Sequence, residues 1–221
     1  MTKLTFKELK KVFPDTPQAY GYLEEYGLFL REYSEGENLA NVILKKGFLD
    51  KKLGEKIAEL IIAFQKINIP KGIDLEMDFN DVNWNIKELK KRKNKNIVKI
   101  ENEIKDLKSQ MERWHRIVPH VIVHGDINPF NILLLNSRLF FIDFEHVFQG
   151  DYLTDPAMFM AHLMALEYQG LTKEACKNSQ DNFLQGYLKT RGNFNENEQE
   201  RFNAYLNYSN HFIMIHRMAW S

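Results

Sequence analysis

At 221 residues and 26.2 kDa, the chain is long enough to bury a sizeable core in one or two domains, which excludes a peptide or a small stapled scaffold. Thirty Lys and Arg balance 30 Asp and Glu, and the pI near 7.1 leaves no whole-molecule field to attract nucleic acid or a membrane. With 44% hydrophobic residues, 11 Gly and 6 Pro, the composition is that of an ordered globular protein; the single Cys176 excludes an internal disulfide and any zinc site built on paired cysteines. The N-terminus is polar from Thr2 to Lys11, and the most apolar stretch, 156–166, is interrupted by His162 and too short to cross a bilayer. A cytoplasmic protein with no membrane partner is expected.

Residues 1–12 read as a helix, with Leu4, Phe6, Leu9 and Val12 set among lysines, and Pro14 to Pro17 break it. Residues 18–22 and 28–33 are aromatic and apolar runs around Glu-Glu-Tyr-Gly, the pattern of a hairpin that ends in the polar segment 34–37. Helical spacing of Ile57, Leu60, Ile61 and Phe64 predicts a helix over 53–67. A basic run from Lys87 to Lys99 leads into an apolar stripe at Ile97, Ile100, Ile104, Leu107, Met111 and Trp114, the mark of a long amphipathic helix. So few heptads suit packing on its own domain better than a coiled-coil partner. Glu88, Glu101, Glu103 and Asp106 surround the basic run, and no stacking aromatics interleave with it, which favours a solvated face over a nucleic-acid surface.

Strands are predicted over 121–123, 131–135 and 139–144, with Asn136-Ser137-Arg138 as a tight connection. Asp155-Pro156 has the form of an N-cap and N1 pair opening a helix to about Tyr168. Further helices over 174–189 and 196–218 make the C-terminal half mostly helical.

The residues with chemical potential lie between His124 and Asp155. With Ser137 at the centre of a three-residue loop, Asn131 faces Asp143 across the hairpin; a two-residue loop shifts the pairing by one. Opposed Cβ atoms are about 5 Å apart, so an amide oxygen and a carboxylate could share one cation there. Such hard oxygen ligands suit Mg²⁺ or Mn²⁺ rather than zinc. Asp126, in a loop opened by Gly125 after an apolar strand, could accept the proton of a substrate hydroxyl aimed at phosphorus. A zinc hydrolase on His120 and His124 is disfavoured, because four residues of strand span about 13 Å. His115, His146, His162, His211 and His216 show no ligand spacing, and Met158 to Met164 read as core.

His124-Gly125-Asp126, four residues, Asn131, then a hydrophobic strand and Asp143-Phe144-Glu145, resembles the catalytic core of the aminoglycoside phosphotransferase and choline kinase family, which shares the protein kinase fold. Leu28 to Glu37 is similar to that family's hinge between lobes, whose backbone meets adenine. The resemblance implies an α+β, protein kinase-like fold: a mainly helical C-terminal lobe over 34–221 with small β-hairpins, and a reduced N-terminal lobe with its hinge over 1–33. It implies that Asp126 is the catalytic base, that Asn131 and Asp143 hold Mg²⁺, and that Glu32, Tyr33 and Ser34 contact the nucleotide, ATP or GTP. His124 would steady the loop by packing, and Asp155 resembles the structural Asp that holds it. The implied acceptor is a hydroxyl of a small molecule: an amino sugar, a choline-like alcohol or another metabolite. Glu145, Asp151 and Glu167 would suit a cationic one, although solvated surface positions explain them equally well.

The departure is at the front. No G-x-G-x-x-G or G-K-[ST] sequence occurs, Glu8 stands where the family's helix Glu would be, and Lys3 is the only lysine placed to stand for its strand Lys. Three strands of the small lobe are expected to be missing, and apolar surface left in their place is expected to drive dimerisation. The alternative is a non-catalytic kinase-like module that binds nucleotide or protein, its warrant being the absent phosphate-gripping lysine. Nucleic-acid binding through Lys87 to Lys99, marked by a steep salt dependence, is a weaker third idea.

Overall fold

A computed structural model describes residues 19–23, 28–31, 33, 35–67, 80–92, 97–144 and 146–220. The helix expected over 1–12, with Lys3 and Glu8, lies outside the described residues, as do Glu32, Ser34 and Glu145. β1 (Ala19–Leu23) and β2 (Leu28–Arg31) pair antiparallel, the hairpin that the aromatic and apolar runs predicted, with an irregularity between Ala19 and Gly21. β3 (Glu37–Asn38) then leads into α1 (Leu39–Lys46), where the Asn38 side chain accepts from Asn41 N at 2.9 Å. An Asn or Asp side chain does this well because it meets an orphan N–H of the first turn. Asp50 does the same for α2 (Lys51–Gln65), accepting from Leu53 N at 2.8 Å.

α3 (Asn80–Lys91) and α4 (Ile97–His115) carry the basic run and the apolar stripe. Ile97, Ile100, Ile104 and Met111 are buried. Lys90 and Lys105 both pair with Glu101, and Lys91 pairs with Glu88, as expected of a solvated face. β4 (Val121–Val123) pairs with β7 (Phe148–Gly150), while β5 (Ile132–Leu135) lies between β3 and β6 (Arg138–Phe141). α5 (Thr154–Ala165), a 3₁₀ turn (Leu166–Gln169), α6 (Lys173–Arg191) and α7 (Glu196–Trp220) complete the fold. Among the described residues, no helix is long and apolar enough to cross a membrane.

The core joins α2 and α6, α5 and α7, and the inner faces of β4 to β6. Ile57, Ile61, Phe64, Ile122, Phe141, Phe159, Phe183 and Tyr205 are all buried in it. α5 is apolar on nearly every side because helices flank it, which is why its sequence lacks a polar stripe.

Three local expectations fail. The β5–β6 loop has two residues, Asn136 and Ser137, both with positive φ (48° and 66°), so Leu135 pairs with Arg138 and Ile132 with Phe141. Positive φ at both central residues is the turn whose twist matches that of the flanking strands, and it sets the tighter register. Asn131 therefore lies opposite Ile142, whose N–H donates to the Asn131 carbonyl at 3.0 Å, and not opposite Asp143. Strand β6 ends at Phe141, not Phe144. Asp155 is also not the N-cap of α5: the helix starts at Thr154, and the Asp155 carboxylate turns away to bond another segment.

Candidate active site

The loop between β4 and β5 is fixed from three directions. Gly125 has φ +80°, and a Cβ built there would stand 2.1 Å from the His146 carbonyl oxygen, so only glycine fits. Buried Asp155 accepts the His124 N–H at 2.9 Å through Oδ2 and the Gly125 N–H at 3.2 Å through Oδ1. The third restraint is the bond from Ala40 N to the Pro129 carbonyl at 3.0 Å, which ties the loop to α1.

His124 is wholly buried beside Phe64, Phe141 and Phe144, with ring centroids 5.2–5.9 Å away. Its Nε2 lies 3.1 Å from the Ile142 carbonyl, so it joins the β4–β5 loop to the segment carrying Asp143. Desolvation lowers its pKa to about 4, leaving a neutral ring. This is the packing role expected of it. His120 instead stacks on His115 with centroids 4.0 Å apart, and its Nε2 lies 2.5 Å from the His115 carbonyl, so His120 and His124 are engaged separately, in line with the rejection of a zinc site on that pair.

Both oxygens of Asp126 are held by amides. Asn131 Nδ2 donates to Oδ2 at 2.7 Å and to the Asp126 carbonyl at 3.0 Å; Asn128 Nδ2 donates to Oδ1 at 3.1 Å. Asn128 Oδ1 in turn accepts from Phe130 N at 2.9 Å and Asn131 N at 3.2 Å, closing the turn. Burial raises the Asp126 pKa; the Asn128 bond, His146 and the Asn131 bond oppose the rise, and the nearby charge of Asp143 adds to it. Sequence reasoning missed Asn128, although Asn before Pro is a turn signal that could have found it.

Asp143 has φ +67°, uncommon for a residue other than glycine and tolerated by Asp, and it is exposed. It stands two residues beyond the end of β6, and its charge contributes to the raised Asp126 pKa. Asn131 spends its amide hydrogens on Asp126, which leaves Oδ1 as the atom available to a cation. An amide oxygen and a carboxylate are, by their chemistry, donors that fit a hard divalent ion. Tyr33, the described member of the hinge trio, is 86% exposed.

A cavity of about 660 Å³ opens beside Asp126 and Asn131 and runs between α3, α5 and α7. His146, His162 and His216 line it, a grouping that sequence spacing did not reveal because they come from three separate segments. Of the acidic residues weighed for a cationic acceptor, the two that are described, Asp151 and Glu167, lie outside the cavity lining. Asp151 is 1% exposed and bonds Arg201 Nε at 2.7 Å, and Glu167 is exposed outside the cavity.

The model described as "Phosphotransferase enzyme family" matches residues 6–202. A choline/ethanolamine kinase family protein from Mesorhizobium loti is similar in structure, with a TM-score of 0.64 and 13% identity over 96% of this chain and 68% of that one. An ethanolamine kinase from Plasmodium vivax gives 0.56 and 16% over 97% and 64%. An aminoglycoside-3′-phosphotransferase of type VIII gives 0.60 and 16% over 91% and 76%. A probable serine/threonine-protein kinase BUD32 homolog from Archaeoglobus fulgidus is 37% identical over 71 residues, 32% of this chain and 35% of that relative.

Proposed function

The chain belongs to the phosphotransferase enzyme family and has its protein kinase-like fold, and on that premise we propose that it moves the γ-phosphoryl group of ATP or GTP to a hydroxyl of a small molecule. The observation that carries the reading is Asp126, a half-buried carboxylate held by two amides in the lining of a cavity large enough for a metabolite. In this reading the acceptor hydroxyl sits against Asp126 and its oxygen attacks the γ-phosphorus. The bond to the β–γ bridging oxygen breaks, the nucleoside diphosphate leaves, and Asp126 takes the hydroxyl proton. A raised pKa makes Asp126 the stronger base for that step. Asn131 Oδ1 and Asp143 would hold Mg²⁺, which would neutralise phosphate charge. Asn131 has a second duty, orienting Asp126. The backbone of Glu32, Tyr33 and Ser34 would meet the adenine.

The test is a thermal melt with ATP, with and without Mg²⁺, followed by ADP release in the presence of candidate acceptors. A Mg²⁺-dependent rise in midpoint together with acceptor-dependent ADP release supports the reading. A rise in midpoint without any turnover favours a non-catalytic nucleotide-binding module instead.

A further inference from the structure

Among the described residues that line the cavity beside Asp126, Arg217 on α7 is the only permanently charged cation and Asp126 the only carboxylate. Two other arginines of the C-terminal helices are paired with acids: Arg191 with Glu198 at 2.6 Å, and Arg201 Nε with Asp151 at 2.7 Å. Arg217 is exposed and, among the described residues, pairs with no carboxylate; its guanidinium lies instead over the Tyr168 ring, 3.9 Å from the centroid. Stacking occupies a face of the guanidinium and leaves its edge unused. The five N–H donors lie in that plane, so the edge can fork a carboxylate or a phosphate.

His216, the preceding residue, adds a second donor. It too is exposed and lines the cavity. Asn85 Nδ2 lies 3.4 Å from His216 Nδ1, and because an amide nitrogen can only donate, Nδ1 accepts and the ring proton sits on Nε2. His162 brings no charge to the lining, since desolvation lowers its pKa to about 4.

These charges decide between ligand classes. An ammonium entering the cavity meets the Arg217 guanidinium and has only Asp126 to receive it, the group reserved for the acceptor proton. Trp84 and Trp220 do not offset this. They stack on each other, with centroids 5.3 Å apart and planes at 25°, and two rings laid face to face cannot enclose a cation as rings converging from several sides would. An anion meets a forked guanidinium and an imidazole N–H, and such charge-assisted bonds are about twice as strong as neutral ones.

We propose that the acceptor carries an anionic group, a carboxylate or a phosphate ester, held by Arg217 with His216 beside it, while a free hydroxyl of the same molecule reaches Asp126. The assignment rests on the phosphotransferase reading and makes Arg217 the residue that selects acceptor charge.

The experiment follows ADP release with Mg²⁺ and ATP against matched compounds that differ in charge: glycolate, ethylene glycol and ethanolamine, then D-glucuronate, D-glucose and D-glucosamine. Glycerol 3-phosphate against glycerol tells a phosphate ester from a carboxylate. Saturation-transfer NMR of the same compounds is recorded in parallel. Wild type is compared with Arg217→Gln and Arg217→Lys, with melting curves to establish that each variant folds. In at least one set the anion should have a KM about tenfold or more below those of its counterparts, and Arg217→Gln should raise that KM about tenfold or more while kcat changes little. Arg217→Lys, which keeps the charge but loses the fork, should recover part of the loss. Preference for an amine or a neutral compound, or an anion KM that Arg217→Gln leaves in place, would overturn the acceptor assignment while leaving phosphotransfer standing. A rise confined to the KM for ATP would give Arg217 to the nucleotide and overturn it as well. Anions that bind by NMR and are released by Arg217→Gln, yet are never phosphorylated, would uphold the anion site and defeat the phosphotransferase reading. Binding of none of the anions would overturn the assignment outright. If one variant fails to fold, the other supplies the comparison.

Discussion

Asp155 sits 31 residues from His124, yet its carboxylate sets where the β4–β5 loop begins. Burial pushes its pKa up to about 7, and the N–H groups of His124 and Gly125 pull the other way. In Asp155→Asn the volume is kept, but an amide NH₂ faces one of those two N–H groups and leaves it unsatisfied. Urea unfolding should show a loss of about 1–3 kcal/mol, and phosphoryl transfer should fall with it. A variant as stable as the parent would remove Asp155 from the loop's support. The Asp-Pro pair resembled a helix cap because its local chemistry is that of a cap. A partner far along the chain won, and no local pattern encodes that partner; only the family resemblance pointed to it.

Among the secondary-structure elements, periodicity found α2, α4, α6 and α7 to within a few residues, because each must bury one stripe against a neighbour. It could not find the β5–β6 register, which turns on whether Arg138 belongs to the loop or the strand. The tight approach of α2 to α6 was equally hidden. Gly186 on α6 faces the Glu55 backbone of α2, where a Cβ would stand 2.8 Å from both N and Cα. Alanine has the higher helix propensity by about 1 kcal/mol, but here it must push two helices apart. Gly186→Ala should therefore lower stability by about 1–3 kcal/mol, read from the urea midpoint. A rise in midpoint would show that the helices separate freely.

For the whole molecule, the balance of buried titrating groups gives stability a direction with pH. Desolvation holds His124 and His162 at about 4 against an ordinary 6.5. Between those values the unfolded chain takes up protons that the folded protein excludes, so stability is full above pH 6.5 and drains as pH falls toward 4. Asp155 acts oppositely. Raised from 3.8 to about 7, it keeps a proton in the folded state that the unfolded chain releases, which favours folding as pH falls across that range. Two imidazoles outweigh one carboxyl, so the urea midpoint should be lower at pH 5 than at pH 7, and the gap should widen in Asp155→Asn. A midpoint independent of pH would contradict the burial of these rings. The same molecule-wide arrangement, loop on Asp155 and rings behind it, sets Asp126 in the lining of the cavity. The most direct measurement is the turnover number of Asp126→Asn with ATP, Mg²⁺ and acceptor, beside its melting curve. A fall of about 10²–10⁴-fold with the fold retained is the predicted result, and turnover equal to that of the parent would contradict it.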